Sequence, residues 1–174
     1  MIDSATAPTH DQLDALARRV AGHADGSGLG LATAESCTGG WIAKVLTDQA
    51  GSSGWFHGGV VSYSNAAKVA MLDVPGSLLE AYGAVSEPVV RAMAAGMLAR
   101  SGSDVAVAVT GIAGPGGGVP GKPVGRVWFG WALATGFVIS RAETFEGDRE
   151  AVRAASVAAA LEGVLRHTGG EGAA

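Results

Sequence analysis

A chain of 174 residues has the length of one domain, enough to bury about two-thirds of its unfolded surface around a single core. Its hydrophobic fraction of 48% is ordinary for a globular protein, while 28 glycines, gathered in loops without a collagen period, mark functional backbone. The formal net charge of -4 comes from sparse, mixed charges without the basic stripe of a nucleic-acid binder, and no apolar run is long enough to span a membrane.

Residues 1-9 read as a loose tail. Leu13, Leu16, Ala17 and Val20 then recur at helical spacing, and Gly22 offers a stop. The apolar run from Leu29 to Ala34 ends at Glu35 and is too short for a helix, so it reads as a buried strand. From Gly39 onward, Trp41, Ile42, Val45 and Leu46 give a helix broken at Gly51, which makes Ser36 to Gly40 a strand-to-helix turn. "GGVVSYS" is a second strand, and "NAAKVAMLDV" a short helix with Asn65 as N-cap and Lys68 one turn in. Pro75 to Tyr82 predicts another short helix. Ser86, Glu87 and Pro88 open a longer one, to about Arg100, that buries Val89, Val90, Met93 and Met97.

"DVAVAVT" is the most strand-like stretch, and glycines and prolines fill "GIAGPGGGVPGKPVG" after it. Arg126 to Ala134 and Phe137 to Phe145 flank Thr135 and Gly136 as a hairpin, and Asp148 caps a last helix running to about Leu165. Helices alternating with strands before a closing hairpin predict a single-domain layered α/β/α fold. Its sheet is mixed, with an antiparallel hairpin at one side, and the domain covers residues 10-167 between tails at 1-9 and 168-174. Strand order stays open.

The single cysteine, Cys37, allows neither an internal disulfide nor a thiolate metal cluster, and suits a reducing compartment. His10, His23, His57 and His167 lack ligand spacing, so neither metal nor cofactor is expected. Without a charged segment leading into an apolar one at the N-terminus, the chain reads as cytoplasmic.

Ligand sites of open α/β sheets lie beyond the carboxyl ends of the strands, where "ESCTGG", "YSN" and "TGIAGPGGG" all fall. Glycine amides at a helix start bind an anion or an oxyanion, and Ser36, Cys37 and Thr38 sit beside such amides. A serine nucleophile needs a base, and Lys68, close to Tyr63 and Ser64, is the attractive one if burial lowers its pKa. By spacing alone, Lys68 reads first as a solvent-facing residue, Ser36 as a helix cap and Cys37 as a small buried apolar side chain. His57 has no partner that the sequence names. "TGIAGPGGG" matches neither the Walker A pattern nor the dinucleotide fingerprint, which leaves an ordinary surface loop and an anion site both open.

Four stretches in order resemble the C-terminal domain of the competence/damage-inducible CinA proteins, over roughly residues 10 to 166. They are "TAESCTGGWIAKVLTDQAGSSGWFHGGVVSYSNAAK", "GAVSEPVV", "TGIAGPGGGVPGKPVGRVWF" and "FEGDREAVR". Stand-alone members of that family act as nicotinamide mononucleotide deamidases. The resemblance therefore implies a metal-free amidohydrolase of pyridine nucleotide salvage, converting nicotinamide mononucleotide and water to nicotinate mononucleotide and ammonia. The family's serine nucleophile falls on Ser36 and its lysine base on Lys68, Tyr63 matches a third catalytic residue, and Thr110 and Arg149 match substrate-binding ones.

On that reading, amides near Thr38, Gly39 and Gly40 hold the oxyanion, and the loop through Gly111 and Gly114 to Gly118, with Arg149, holds the nucleotide phosphate. His57, and Arg126 where threonine is frequent, depart from the family's usual residues without touching the proposed pair. The resemblance also implies a homo-oligomer, a dimer or higher. A full CinA protein carries an N-terminal pyrophosphatase-type domain, which this chain is expected to lack, leaving a single-activity protein or a partner-dependent one. Two other readings remain: an amidase acting on another substrate, and a non-catalytic pyridine-nucleotide-binding or partner protein.

Overall fold

The computed structural model describes residues 7-171; most of the two expected tails falls on residues 1-6 and 172-174, outside the described residues. In chain order the elements are α1 (His10–Ser27), β1 (Leu31–Glu35), α2 (Trp41–Thr47), a 3-10 turn (Ser52–Gly54), β2 (Phe56–Val61) and α3 (Asn65–Leu72). They continue with α4 (Gly76–Tyr82), α5 (Glu87–Ser101), β3 (Val105–Gly111), β4 (Arg126–Leu133), β5 (Val138–Thr144) and α6 (Arg149–Thr168). The sheet runs β2-β1-β3-β4-β5. Its first three strands are parallel and the hairpin of β4 and β5 is antiparallel, as the alternation of elements predicts.

The two faces of the sheet differ in size of side chain, and this sets the layers. Val105, Val107, Val109, Val127, Phe129 and Trp131 face α1, α2 and α6, which supply Leu13, Leu46, Val157 and Leu161 to a common core. On the other face, Ala32, Ala34, Ala106 and Ala108 let α5 come close, and at Gly130 a Cβ would lie 2.9 Å from the Val90 carbonyl oxygen. Among the described residues no helix is long and apolar enough to cross a membrane.

Four boundaries differ from expectation. Helix α1 does not stop at Gly22 but runs on to Ser27, because Ala24 continues its buried face, and it ends where Gly28 turns left-handed at φ 67°. Its start is a capping box between Thr9 and Gln12. Ser64, not Asn65, caps α3, with its Oγ accepting from the Ala67 N–H at 3.0 Å. Helix α2 closes at Thr47, before Gly51, and α6 continues past Leu165 to Thr168. Asp148 does cap α6, accepting from the Ala151 N–H at 2.9 Å.

One glycine sets where α3 lies. A Cβ on Gly96 of α5 would overlap the backbone carbonyl of Leu72 at the end of α3, so the two helices touch backbone to backbone there. Gly96→Ala is expected to destabilise the protein by about 3 kcal/mol, since the obstacle is main chain rather than a flexible side-chain tip. Differential scanning calorimetry would register this as a fall in Tm of about 9 °C; an unchanged Tm would show that α3 is free to shift.

Candidate active site

The turn between β1 and α2 is organised by the acid that precedes it. The Glu35 carboxylate, 1% exposed, accepts hydrogen bonds from the backbone N–H groups of Gly40 (3.0 Å), Ile42 (3.1 Å) and Ala43 (2.8 Å). Gly40, the N-cap, has φ 94° and no side chain to offer, so Glu35 performs the capping from the end of the strand. The Gly39 N–H donates to the Ser36 carbonyl at 3.0 Å. This corrects the expectation for the oxyanion donors: the Gly39 and Gly40 amides are already engaged. The amides of the turn left without an acceptor on another residue, among the described residues, are those of Cys37 and Thr38.

Removing the charge of Glu35 tests this. In Glu35→Gln one carboxylate oxygen becomes an NH2 group that opposes a backbone N–H, with an expected loss of about 2 kcal/mol, the value of hydrogen bonds to a buried charge. Tm should fall by about 6 °C in a thermal melt, and a melt indistinguishable from wild type would mean that the helix start does not depend on this carboxylate.

Ser36 is tied to β3 by its N–H, which donates to the Val109 carbonyl at 3.0 Å. Its Oγ caps no helix and instead accepts a hydrogen bond from the Lys68 Nζ at 3.0 Å. Lys68 is 0% exposed, contrary to the solvent-facing alternative, because the first turn of α3 turns it inward under the strand ends. Its Nζ also donates to the carbonyls of Ser62 (2.6 Å) and Tyr63 (3.4 Å). Burial pulls its pKa from the ordinary 10.5 down to about 8, since desolvation penalises the ammonium form. The Cys37 thiol, by contrast, is pushed up to about 11 by burial, which keeps it protonated at neutral pH. It occupies the apolar core beside the turn, as the small-apolar reading expects.

Arg149, the first residue of α6, joins the other loops. Its Nη2 donates to the Tyr63 hydroxyl at 3.0 Å and its Nη1 to the Gly114 carbonyl at 2.7 Å. Tyr63 is 59% exposed, so its ring stands at the mouth of the site while its carbonyl holds Lys68 inside. Gly114 is left-handed at φ 85°, and a Cβ there would lie 2.6 Å from Val124 Cγ1; Gly111 packs against Val127 at the end of β3.

Ser36, Lys68, Tyr63, Arg149 and Gly114 thus form one hydrogen-bonded chain. Thr110 lies beside it and directs its hydroxyl to the Ala84 carbonyl at 3.0 Å, bracing the segment before α5. Thr38 is fully buried with an unpartnered Oγ1, and its carbonyl accepts from Arg153 Nη2 at 2.9 Å. His57 lies apart, with Nδ1 3.3 Å from the Ser101 carbonyl, and Arg126 sits over the Trp128 ring at 5.6 Å.

Sequence reasoning gave no role to Glu35, Ser62 or Arg153. The signal for Glu35 was an acid immediately before the turn, and for Arg153 an arginine one helical turn after Arg149. Among the described residues, no group of three or more His, Cys, Asp and Glu side chains is placed to hold a metal ion.

A family model described as the CinA C-terminal domain matches residues 13–168. The chain is 52% identical to a nicotinamide-nucleotide amidohydrolase of Escherichia coli strain K12, over 88% of this chain and 93% of that protein. It is 50% identical to one of Pseudomonas putida, over 90% of this chain and 97% of that protein. A CinA-like protein of Mycolicibacterium vanbaalenii is 54% identical over 84% of this chain, a match that takes up 35% of its own length. Among solved structures, the competence/damage inducible protein of Agrobacterium tumefaciens superposes with a TM-score of 0.88 at 44% identity, covering 90% of this chain and 95% of that one.

Proposed function

The chain belongs to the CinA C-terminal domain family, and from that premise we propose that it is a nicotinamide-nucleotide amidohydrolase using Ser36 as nucleophile and Lys68 as general base. The observation that carries this reading is the 3.0 Å hydrogen bond between Lys68 Nζ and Ser36 Oγ, two buried side chains at the strand ends. The names of the two amidohydrolase relatives support the substrate class.

The chemistry follows from the hydrogen bonds around Nζ. An ammonium has three donors, and Lys68 has three acceptors: Ser36 Oγ and the carbonyls of Ser62 and Tyr63. When the proton is lost, two N–H groups remain on the carbonyls and the lone pair is directed at Ser36, whose hydroxyl then becomes the donor. Ser36 Oγ attacks the carboxamide carbon of the substrate as its proton passes to Lys68, and the developing oxyanion takes the N–H groups of Cys37 and Thr38. Lys68 returns the proton to the leaving nitrogen, the C–N bond breaks and ammonia departs, leaving an ester on Ser36. Water, deprotonated by the same lysine, cleaves that ester to the nicotinate product and regenerates the serine.

The substrate phosphate is assigned to the loop from Gly111 to Gly118 with Arg149, a fork already poised between Tyr63 and Gly114. Tyr63 takes a positioning part at the mouth of the site. The proposal includes a homo-oligomeric assembly and a cytoplasmic setting for pyridine nucleotide salvage.

The test is ammonia release on incubation with nicotinamide mononucleotide. Turnover with formation of nicotinate mononucleotide supports the reading. Release only from a different amide would make the chain an amidase of another specificity, and binding without release would make it a nucleotide-binding protein.

A further inference from the structure

We propose that Arg153 is a positioning residue for the Ser36 turn, holding the Thr38–Gly39 peptide so that the hydroxyl and the neighbouring amides meet the same substrate carbon. The inference rests on the serine-lysine reading above and adds to it a residue that touches neither substrate nor reacting atoms.

Arg153 Nη2 donates to the Thr38 carbonyl at 2.9 Å, and the guanidinium lies over the Trp41 ring with Cζ 5.4 Å from its centroid. It is a contact across 115 positions of the chain, from the second turn of α6 to the heart of the turn. The turn needs such a hold. Gly39 and Gly40 are both left-handed, at φ 62° and 94°, and the Thr38–Gly39 peptide that precedes them is held locally by backbone bonds alone, the Gly39 N–H on the Ser36 carbonyl at 3.0 Å and the Trp41 N–H on the Thr38 carbonyl at 3.2 Å. The Thr38 side chain gives no anchor either, since its buried Oγ1 has no partner.

Two ties therefore fix the turn from opposite sides: the Glu35 carboxylate accepts from its later amides, and the Arg153 guanidinium donates to its carbonyl. Without Arg153 the Thr38 carbonyl keeps the longer 3.2 Å bond from the Trp41 N–H. The arrangement also leaves the Arg153 Nε buried without an acceptor. A donor left unsatisfied in this way is disfavoured for stability alone, which fits a guanidinium whose place is set by the turn it holds. Arg149 and Arg153 lie one helical turn apart, so α6 presents two forks to the site: the outer one joins the loops at its mouth, and the inner one holds the Thr38 carbonyl, two residues after the nucleophile.

The experiment compares wild type, Arg153→Met and Arg153→Lys in three measurements: kcat and KM for nicotinamide mononucleotide, the rate at which a fluorophosphonate probe modifies Ser36 by intact mass, and Tm. Arg153→Met is expected to lower kcat by about 30-fold, the scale of a misplaced reacting group, with KM within about threefold of wild type. The labelling rate of Ser36 falls in parallel. Arg153→Lys recovers part of both, because an ammonium reaches the carbonyl but does not reproduce the stacked fork.

A wild-type kcat and labelling rate in Arg153→Met, whatever its Tm, would overturn the inference, as would a raised KM with unchanged kcat, which would make Arg153 a substrate-binding residue. If Arg153→Met does not fold, Arg153→Lys decides in its place: a lowered kcat at unchanged KM supports positioning, and full activity overturns it. The underlying reading fails separately. Wild type that is labelled at Ser36 and slowed by Arg153→Met, yet releases no ammonia from the nucleotide, loses the proposed substrate and keeps the positioning role. Wild type that is neither labelled nor active overturns both.

Discussion

Ser36→Ala is expected to reduce ammonia release by about four orders of magnitude or more, the usual consequence of deleting a covalent nucleophile. The structure keeps the other effects of that change small. The side chain lost is a single hydroxyl, and Lys68 retains the Ser62 and Tyr63 carbonyls as acceptors. Stability should move by no more than about 1 kcal/mol, and nucleotide binding, assigned to Arg149 and the glycine loop, should survive. Cys37→Ala is the companion experiment. A buried thiol with its pKa at about 11 supplies almost no thiolate at neutral pH, so this variant should retain most of its activity. Turnover numbers and titration calorimetry of the two variants side by side decide the matter. Activity in Ser36→Ala together with its loss in Cys37→Ala would transfer the nucleophile to sulfur.

The second large effect concerns Lys68. Since kcat/KM reports the free enzyme, it should rise with pH along a limb centred at about 8, where the buried amine loses its proton. The substrate phosphate, with a second pKa of about 6, is already fully charged above pH 7 and does not obscure the limb. Lys68→Arg should be nearly inactive, because a guanidinium stays protonated throughout this range. Substantial turnover in that variant would show that the position supplies positive charge alone.

Stability should carry the same signature. With the folded pKa held below the ordinary 10.5 by desolvation, the unfolded chain binds this proton more tightly than the native one. The burial penalty is then present in full below about pH 8 and is relieved as pH rises toward 10.5. Denaturant unfolding of wild type and Lys68→Met at pH 7.5 and pH 10 should show wild type gaining on the variant at the higher pH. A constant difference between the two would place the titration elsewhere.

How much of this was legible in the sequence depends on the range of the interaction concerned. Short apolar runs placed the strands and period-3.6 patterns and caps the α-helices, because burial is written into neighbouring residues, while the 3-10 turn at Ser52–Gly54 left no such mark. Short-range punctuation did nearly as well: Asp148 caps α6 and the break at Thr135-Gly136 makes the hairpin. Where it failed, two neighbours had equal claims, as with Ser64 and Asn65, or a buried continuation outweighed a local break, as with Ala24 beyond Gly22. Residue chemistry singled out Ser36 and Lys68, since the types that carry acyl transfer are few, while Tyr63 and Arg149 were marked only by the resemblance to the CinA C-terminal domain.

Only the tertiary structure decided what those residues are able to do. The bond from Lys68 to Ser36 crosses 32 positions, that from Arg149 to Tyr63 crosses 86 and that from Arg153 to Thr38 crosses 115. A pattern of neighbours carries no information about such distances. The lowered pKa of Lys68 and the raised pKa of Cys37 arise from desolvation, which belongs to the packed layers around a side chain and not to its sequence. Glu35 shows the same division within one turn. The chain places an acid before "SCTGG", but only folding of α2 back against the end of β1 brings three amides to that carboxylate and leaves those of Cys37 and Thr38 without an acceptor on another residue.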